Sequence, residues 1–132
     1  MADKSTLLRT FNAHFFDMLD DFIRIFPENA DILSARTTFE TVKRANPTAI
    51  IKVWHPYIAI PYGEVIGQGN VDYFFEKNYN EDVGHLANAG DIMKFIETMR
   101  GPVRSMSDSN KEHTIKYLQN LNKLAVAYMG SR

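Results

Sequence analysis

The side chains best suited to chemistry in this chain are its histidines, which are His14, His55, His85 and His113. Asp17 and Asp21 follow His14 by three and seven residues. On a helix this spacing puts a nitrogen and two carboxylates on one face, where a divalent cation could bind. Di-metal helical bundles, however, need a second Glu-x-x-His motif and further carboxylates. The chain has no second copy of such a motif, so we expect a structural or solvated role for this cluster.

His55 stands between the only tryptophan, Trp54, and Pro56, with Tyr57 and Tyr62 shortly after it. It could act as a base in an aromatic pocket. Alternatively, it is part of an aromatic packing corner in which the backbone satisfies the imidazole. The second interpretation is favoured, because no nucleophile or carboxylate lies near His55 in the sequence.

Other signatures of catalysis or cofactor binding are missing from the sequence. Gly67-Gln68-Gly69 is a fragment of a phosphate-binding loop, but it lacks the third glycine, the Lys-Ser/Thr pair and a preceding buried strand, so we predict a turn. No serine lies in a nucleophile elbow, and no His-Glu-x-x-His motif is present. The chain has no cysteine, which excludes disulfides and thiolate sites. The sequence therefore predicts a protein that is not an enzyme and has no metal or cofactor.

A dense aromatic segment, residues 72–79, is the best candidate for a contact surface. Its rings are those of Tyr73, Phe74, Phe75 and Tyr79. Four rings in eight residues exceed what one helix face can bury, so we expect some of them to reach the surface and bind a protein partner. Trp54, Tyr57 and Tyr62 are the predicted neighbours of this surface. The alternative is that all four rings belong to the core of the monomer.

Clusters of basic residues leave a second function open, that of a nucleic-acid-associated protein. One cluster comprises Arg36, Lys43, Arg44 and Lys52, and another comprises Arg100, Arg104, Lys111, Lys116 and Lys123. The alternative function depends on Lys43, Arg44, Arg100 and Arg104. A net charge of -1 disfavours it, because binding of nucleic acids relies on neutralising phosphates.

Apolar residues at steps of three and four predict helices along most of the chain. The predicted helices cover residues 5–26, a segment from Asn29 or Asp31 to Asn46, residues 48–55, a short helix capped by Asn70 or Asp72, residues 91–100 and residues 109–129. Gly101-Pro102 is a predicted stop, and Ser109 with Glu112 matches a capping box. Residues 78–90 are predicted to form a surface loop. Residues 56–70 are left open between a helical turn and an extended piece.

These elements predict an all-α fold, a single-domain bundle of about five to six helices over residues 1–132, with an irregular middle containing proline and glycine. Hydrophobic residues make up 45% of the chain, which is enough for one core. No secretory signal, lipidation motif or apolar run of about 20 residues is visible. We therefore expect a soluble protein, without membrane contact, that is cytoplasmic or assembled in the cytoplasm.

Several stretches resemble small proteins encoded by nucleocytoplasmic large DNA viruses of algae and protists. They are residues 8–16 (LRTFNAHFF), 25–27 (IFP), 45–47 (ANP), 51–54 (IKVW), 60–62 (IPY) and 73–79 (YFFEKNY). These are packing and turn residues, so the resemblance implies no activity and no catalytic residue. It implies a virion component, such as a minor capsid or internal scaffold protein, found in the virion and in the host cytoplasm during assembly. The implied partners are capsid or other virion proteins, and a homo-oligomer is left open.

Overall fold

The computed structural model of the chain describes residues 3–76 and 89–130. Every element in these two stretches is helical, and they contain no strand. In chain order the helices are α1 (Lys4–Ile25), α2 (Ala30–Ala45), α3 (Ala49–Trp54), a π-helical turn (His55–Ala59), α4 (Ile60–Gly67), α5 (Val71–Glu76), α6 (Ala89–Ser105) and α7 (Asp108–Gly130). With α3, the turn and α4 counted as one broken helix, the described residues form six helices, and the predicted all-α bundle is confirmed.

The helix starts follow the capping chemistry of the sequence. Asp3 accepts a hydrogen bond from the Thr6 amide at 2.7 Å and begins α1. Asn29 begins α2 by accepting from the amides of residues 31 and 32, and Asn70 begins α5 by accepting from the Tyr73 amide. Asn29 and Asn70 are each one of the two caps predicted for their helices.

The middle of the chain, left open above, is helical. The π-helical turn contains Pro56, and Pro61 follows it at the start of α4; each proline lacks the amide that an α-helix needs. The Ile60 amide donates to the His55 carbonyl, five residues back, so the turn is widened instead of broken. α4 then ends at the predicted turn, where Gly69 has a φ of +81°, in the left-handed region that suits glycine.

Three boundary predictions are wrong. α6 does not stop at Gly101-Pro102 but continues to Ser105, because Val103 and Met106 beyond the proline are buried in the core. α7 is not begun by a capping box at Ser109, since Ser107 accepts from the Asn110 amide at 3.2 Å and the helix starts at Asp108. Most of the predicted loop 78–90 lies outside the described residues, but its last two residues already belong to α6.

One core connects these helices, and aromatic rings fill its centre. Phe15 on α1 contacts Trp54 and Phe39 edge-on, with ring centroids 6.1 and 5.0 Å apart. Phe39 in turn contacts Phe95 of α6 at 5.8 Å. On α7 the core-facing side chains are Ile115, Leu118, Leu121, Ala125 and Tyr128. This face of α7 packs against α1 and against the broken helix α3–α4, which leaves two flanks of α7 to border surface grooves.

Candidate functional site

The predicted aromatic contact surface is mostly buried. Phe74 and Phe75 are 0% and 2% exposed, and Trp54 and Tyr62 are 1% and 7% exposed. The Phe74 ring lies against Tyr62 at 6.3 Å and against Phe75 at 5.1 Å. In this conformation these four side chains therefore have almost no free surface to offer a partner, and the expected exposure of Phe74 and Phe75 is not found.

Two of the remaining predicted contact residues retain some exposure. Tyr73 is 50% exposed, and Tyr57 is half-buried, while Tyr79 lies outside the described residues. The reason for the deep burial is that α5 packs against both α4 and α6. A short helix covered from two sides buries more rings than the single face assumed from the sequence.

Trp54 is fixed from two directions. Its indole Nε1 donates to Asn122 Oδ1 of α7 at 2.8 Å, and Phe11 contacts its ring edge-on at 6.2 Å. A buried indole N–H needs such an acceptor. The hydrogen bond therefore ties the end of α3 to α7.

The basic residues predicted to serve nucleic-acid binding contact acidic or aromatic groups of the chain itself. Arg36 pairs with Asp20 at 2.6 Å and with Glu40 at 3.2 Å. Arg44 also pairs with Glu40, and the Lys43 ammonium lies 4.9 Å from the centre of the Phe16 ring. Two carboxylates therefore share this surface with the cations, which weakens its attraction for phosphate.

Two members of the second basic cluster, Arg100 and Lys111, are also engaged within the chain. Arg100 Nε donates to the Phe75 carbonyl at 2.8 Å and so ties α6 to α5. Lys111 pairs with Asp72 at 3.1 Å, while Arg104 is exposed near the end of α6. A structural contribution explains Arg100 and Lys111 without a phosphate ligand.

His14 and Asp21 border a groove between α1 and α7, here called the polar groove, of about 480 Å³. Its lining residues are His14, Asp21, Arg24, His113, Lys116, Tyr117 and Asn120. The His14 ring lies 4.9 Å from the Tyr117 ring, and Arg24 pairs with Asp21 at 2.8 Å. Helix packing thus brings a second histidine, His113, to the cluster recognised in the sequence.

Electrostatics in the polar groove favour neutral rings. Burial lowers the pKa of His14, and the carboxylate of Asp17 opposes that shift. Burial raises the pKa of Tyr117, and the carboxylates of Asp21 and Asp17 add to the effect. Both rings are therefore favoured in their uncharged forms.

His14 and Asp21 do not form part of a metal-ligand cluster among the described residues. Within residues 3–76 and 89–130, no three histidine or acidic side chains are arranged to hold a metal ion. His14 Nε2 and Asp21 Oδ2 have no hydrogen-bond partner among these residues, but both atoms are buried. Neither atom is available to a ligand in this conformation. His55, the other predicted candidate, is half-buried in the π-helical turn, away from this groove.

The larger groove on the other flank of α7, here called the apolar groove, was not predicted from the sequence. It runs between α4 and α7, measures about 570 Å³ and is lined by Ala59, Gly63, Ile66, Gly67, Gln119, Asn122, Lys123, Val126 and Ala127. Its α4 wall has little side-chain volume, since a Cβ placed on Gly63 or Gly67 would meet no heavy atom within 4 Å. At these two glycines the α4 wall therefore consists of backbone with open space above it.

Bulky apolar side chains surround this open wall. Ile60 is 64% exposed, Val126 52% and Met129 44%. Val126 lines the apolar groove, Ile60 directly follows the lining residue Ala59, and Met129 lies three residues beyond Val126 on α7. Leu33 and Tyr73 are the other large exposed hydrophobic residues in the described part of the chain. Exposed apolar area is thus concentrated at this groove, as at sites of protein contact.

A sequence signal for the apolar groove exists but is weak. Ala59, Gly63 and Gly67 are spaced by four residues and so share one side of a helix. The spacing becomes informative only once residues 59–67 are known to be helical. The opposite wall comes from α7, more than 50 residues away, and its proximity follows from tertiary packing alone.

No helix in the described part of the chain combines the length and the apolar character needed to cross a membrane. No protein-family model matches the chain, and neither a curated protein nor a solved structure is significantly similar to it.

Proposed function

We propose that this protein is a non-enzymatic structural component that binds another protein through the apolar groove. The observation that carries the proposal is the concentration of Ile60, Val126 and Met129 around that groove. Apolar side chains exposed together are stabilised when a partner removes them from water, by about 25 cal/mol for each Å² covered. A partner with apolar side chains and a polar rim fits this surface.

The assembly we propose is the particle of a large DNA virus. The support is the resemblance of residues 8–16 and 73–79, among others, to proteins of such viruses, together with a surface suited to protein contact. In this proposal the chain is a minor capsid or internal scaffold protein, and its partners are virion proteins. It occupies the host cytoplasm during assembly and the virion afterwards.

Photo-crosslinking tests this proposal in purified particles. A photoreactive residue replaces Ile60 in the apolar groove, and a matched variant carries it at Leu33, which is exposed on α2. We expect the protein to co-purify with particles and position 60 to cross-link to an identified virion protein, while position 33 gives much less product. Protein found only in soluble lysate, or equal products from both positions, would contradict the proposal.

A further inference from the structure

The face that carries the apolar groove presents matching features on its two edges. Gln119 Nε2 on α7 donates to the carbonyls of Ile66 and Gly67 on α4 at 3.0 and 3.4 Å. Away from this contact, Ala59 of the π-helical turn, which packs against α7, lines the same groove as Val126 and Ala127. The residue numbers therefore rise along α4 as they fall along α7, and the two helices are antiparallel.

Because the two helices are antiparallel, chemically matching residues of α4 and α7 lie at similar distances along the groove from the Gln119 hydrogen bonds. Seven residues separate Ile60 from Gly67, and seven separate Val126 from Gln119. At about 1.5 Å of rise per residue, Ile60 and Val126 both lie about 10 Å from the Gln119 hydrogen bonds. Glu64 on α4 and Lys123 on α7 both lie about 5 Å from them. Moving along the groove toward the Gln119 hydrogen bonds, the α4 edge carries Ile60 and then Glu64, and the α7 edge carries Val126 and then Lys123.

This arrangement is self-complementary about a two-fold axis that runs along the groove. A rotation about this axis leaves each residue at the same position along the groove but moves it to the opposite edge. Ile60 of one copy therefore meets Val126 of the other, and Glu64 meets Lys123. Each contact occurs twice, as an isologous interface requires. The small α4 wall at Gly63 and Gly67 gives the bulky edge residues of the second copy room to approach.

The charges on this face have no partner that competes with a second copy. The ion pairs among the described residues involve neither Glu64 nor Lys123. Glu64 accepts only a long hydrogen bond of 3.4 Å from Gln68. Lys123 lines the apolar groove, Glu64 follows the lining residue Gly63, and both charged side chains are exposed. Opposite charges placed this way fix the register of an interface more than they add affinity.

We infer that the occupant of the apolar groove is a second copy of this chain, bound as a two-fold dimer with Ile60 on Val126 and Glu64 on Lys123. The inference rests on the proposed function and names the partner at the same surface. The Ile60–Val126 contacts bury apolar surface, and the Glu64–Lys123 contacts align the two copies.

Sedimentation of the full-length protein tests the inference, with Val126→Asp as the disrupting variant and Leu33→Asp as the matched control. Both substitutions put a carboxylate in place of an exposed apolar side chain. We expect the wild type and Leu33→Asp to be dimeric, and the dimer dissociation constant of Val126→Asp to rise at least about tenfold. A monomeric wild type, or a Val126→Asp variant that dimerises as the wild type does, would overturn the inference.

Charge exchange gives a second test that does not depend on the folding of Val126→Asp. Glu64→Lys and Lys123→Glu each place like charges opposite one another in a symmetric dimer, so each variant alone is expected to dimerise weakly. In a mixture, both contacts of the mixed dimer join opposite charges, and association is expected to return. A mixture that associates no better than its components would refute the pairing.

The photo-crosslink at position 60 separates the two proposals. A product that joins two copies of this chain supports the second-copy dimer. A product with a different virion protein, together with a monomeric wild type in solution, preserves the proposed function and refutes the dimer. Absence of any product in particles contradicts the proposed function itself.

Discussion

The two grooves beside α7, the polar and the apolar groove, are similar in volume, about 480 and 570 Å³. They differ in how far their side chains are engaged by other groups of the chain. In the polar groove, Arg24 pairs with Asp21 and the Tyr117 ring covers His14. In the apolar groove, Ile60 and Val126 face solvent. Buried polar atoms that a ligand cannot reach, such as His14 Nε2 and Asp21 Oδ2, offer little to a partner, whereas exposed apolar groups gain from being covered. Groove volume alone therefore does not identify a binding site.

Two isoleucines of α4 differ in exposure: Ile66 is buried beneath the apolar groove, and Ile60 is exposed beside it. Ile66 is 0% exposed, and its truncation leaves a cavity, so we expect Ile66→Ala to lower the free energy of unfolding by about 2–5 kcal/mol. Ile60→Ala is the control, and for the monomer, measured below the dimer dissociation constant, we expect a change within about 0.5 kcal/mol. Urea unfolding followed by circular dichroism measures both. Equal losses would mean that Ile60 packs in the core and would remove the contrast with the polar groove.

Two asparagines of α7 provide the next test, because each lines one groove. Asn122 accepts the Trp54 indole N–H, so Asn122→Leu leaves a buried donor unsatisfied, and we expect a loss of about 1–3 kcal/mol. Asn120, which is exposed beside the polar groove, is the control. Its change to leucine is expected to cost no more than about 0.5 kcal/mol. Equal costs would show that the polar groove is as tightly built as the Trp54 contact.

The open wall of the apolar groove predicts a gain of stability. Gly63 lies within α4, and a Cβ there meets nothing within 4 Å, so we expect Gly63→Ala to raise the free energy of unfolding by about 0.5–1 kcal/mol. Gly101→Ala in α6 is the control away from the groove and is expected to gain less, because the new Cβ precedes Pro102 and disfavours the helical conformation. Sedimentation then separates the variants, because only Gly63→Ala is expected to weaken dimerisation. Equal dimerisation of both would remove Gly63 from the interface.

The smallest expected effect is a pH dependence in the polar groove. The pKa of His14 is lowered from its ordinary value of 6.5 by burial, so the unfolded chain takes up this proton more readily than the folded one. Stability from this group is present above about pH 6.5 and is lost as the pH falls below that value toward the folded pKa. Urea unfolding from pH 5 to 7.5 measures the slope. We expect His14→Gln to reduce the slope and His113→Gln, an exposed change in the same groove, to keep it.

The sequence predicts the helices well where a single face decides them. The stripe from Leu7 to Phe26 is local information, and the helix predicted from it, residues 5–26, agrees with α1 to within one residue at each end. Pro102 shows the limit of local rules. The cost of a proline inside α6 is outweighed by burial of Val103 and Met106, which depends on neighbours far away in the chain.

The candidate site was harder to predict, for a related reason. Whether Phe74 and Phe75 contact solvent depends on how many helices cover α5, and no pattern within α5 contains that information. Likewise, the apolar groove needs Gln119 to lie against Ile66, which is 53 residues away. Spacing placed His14 and Asp21 on one face of α1, but the burial that lowers the pKa of His14 depends on tertiary packing, including the contact with the Tyr117 ring of α7.

The hydrogen bond between Trp54 and Asn122 gives the molecule a built-in optical reporter. Trp54 is the only tryptophan of the chain, and Asn122, which receives its N–H, also lines the apolar groove. The tryptophan fluorescence of the protein therefore arises from one indole, which is buried in the core and is separated from the apolar groove by the side chain of Asn122. Unfolding exposes this indole to water, whereas docking changes the surroundings of its hydrogen-bond acceptor. Emission from the unlabelled protein thus responds to both events at a single position.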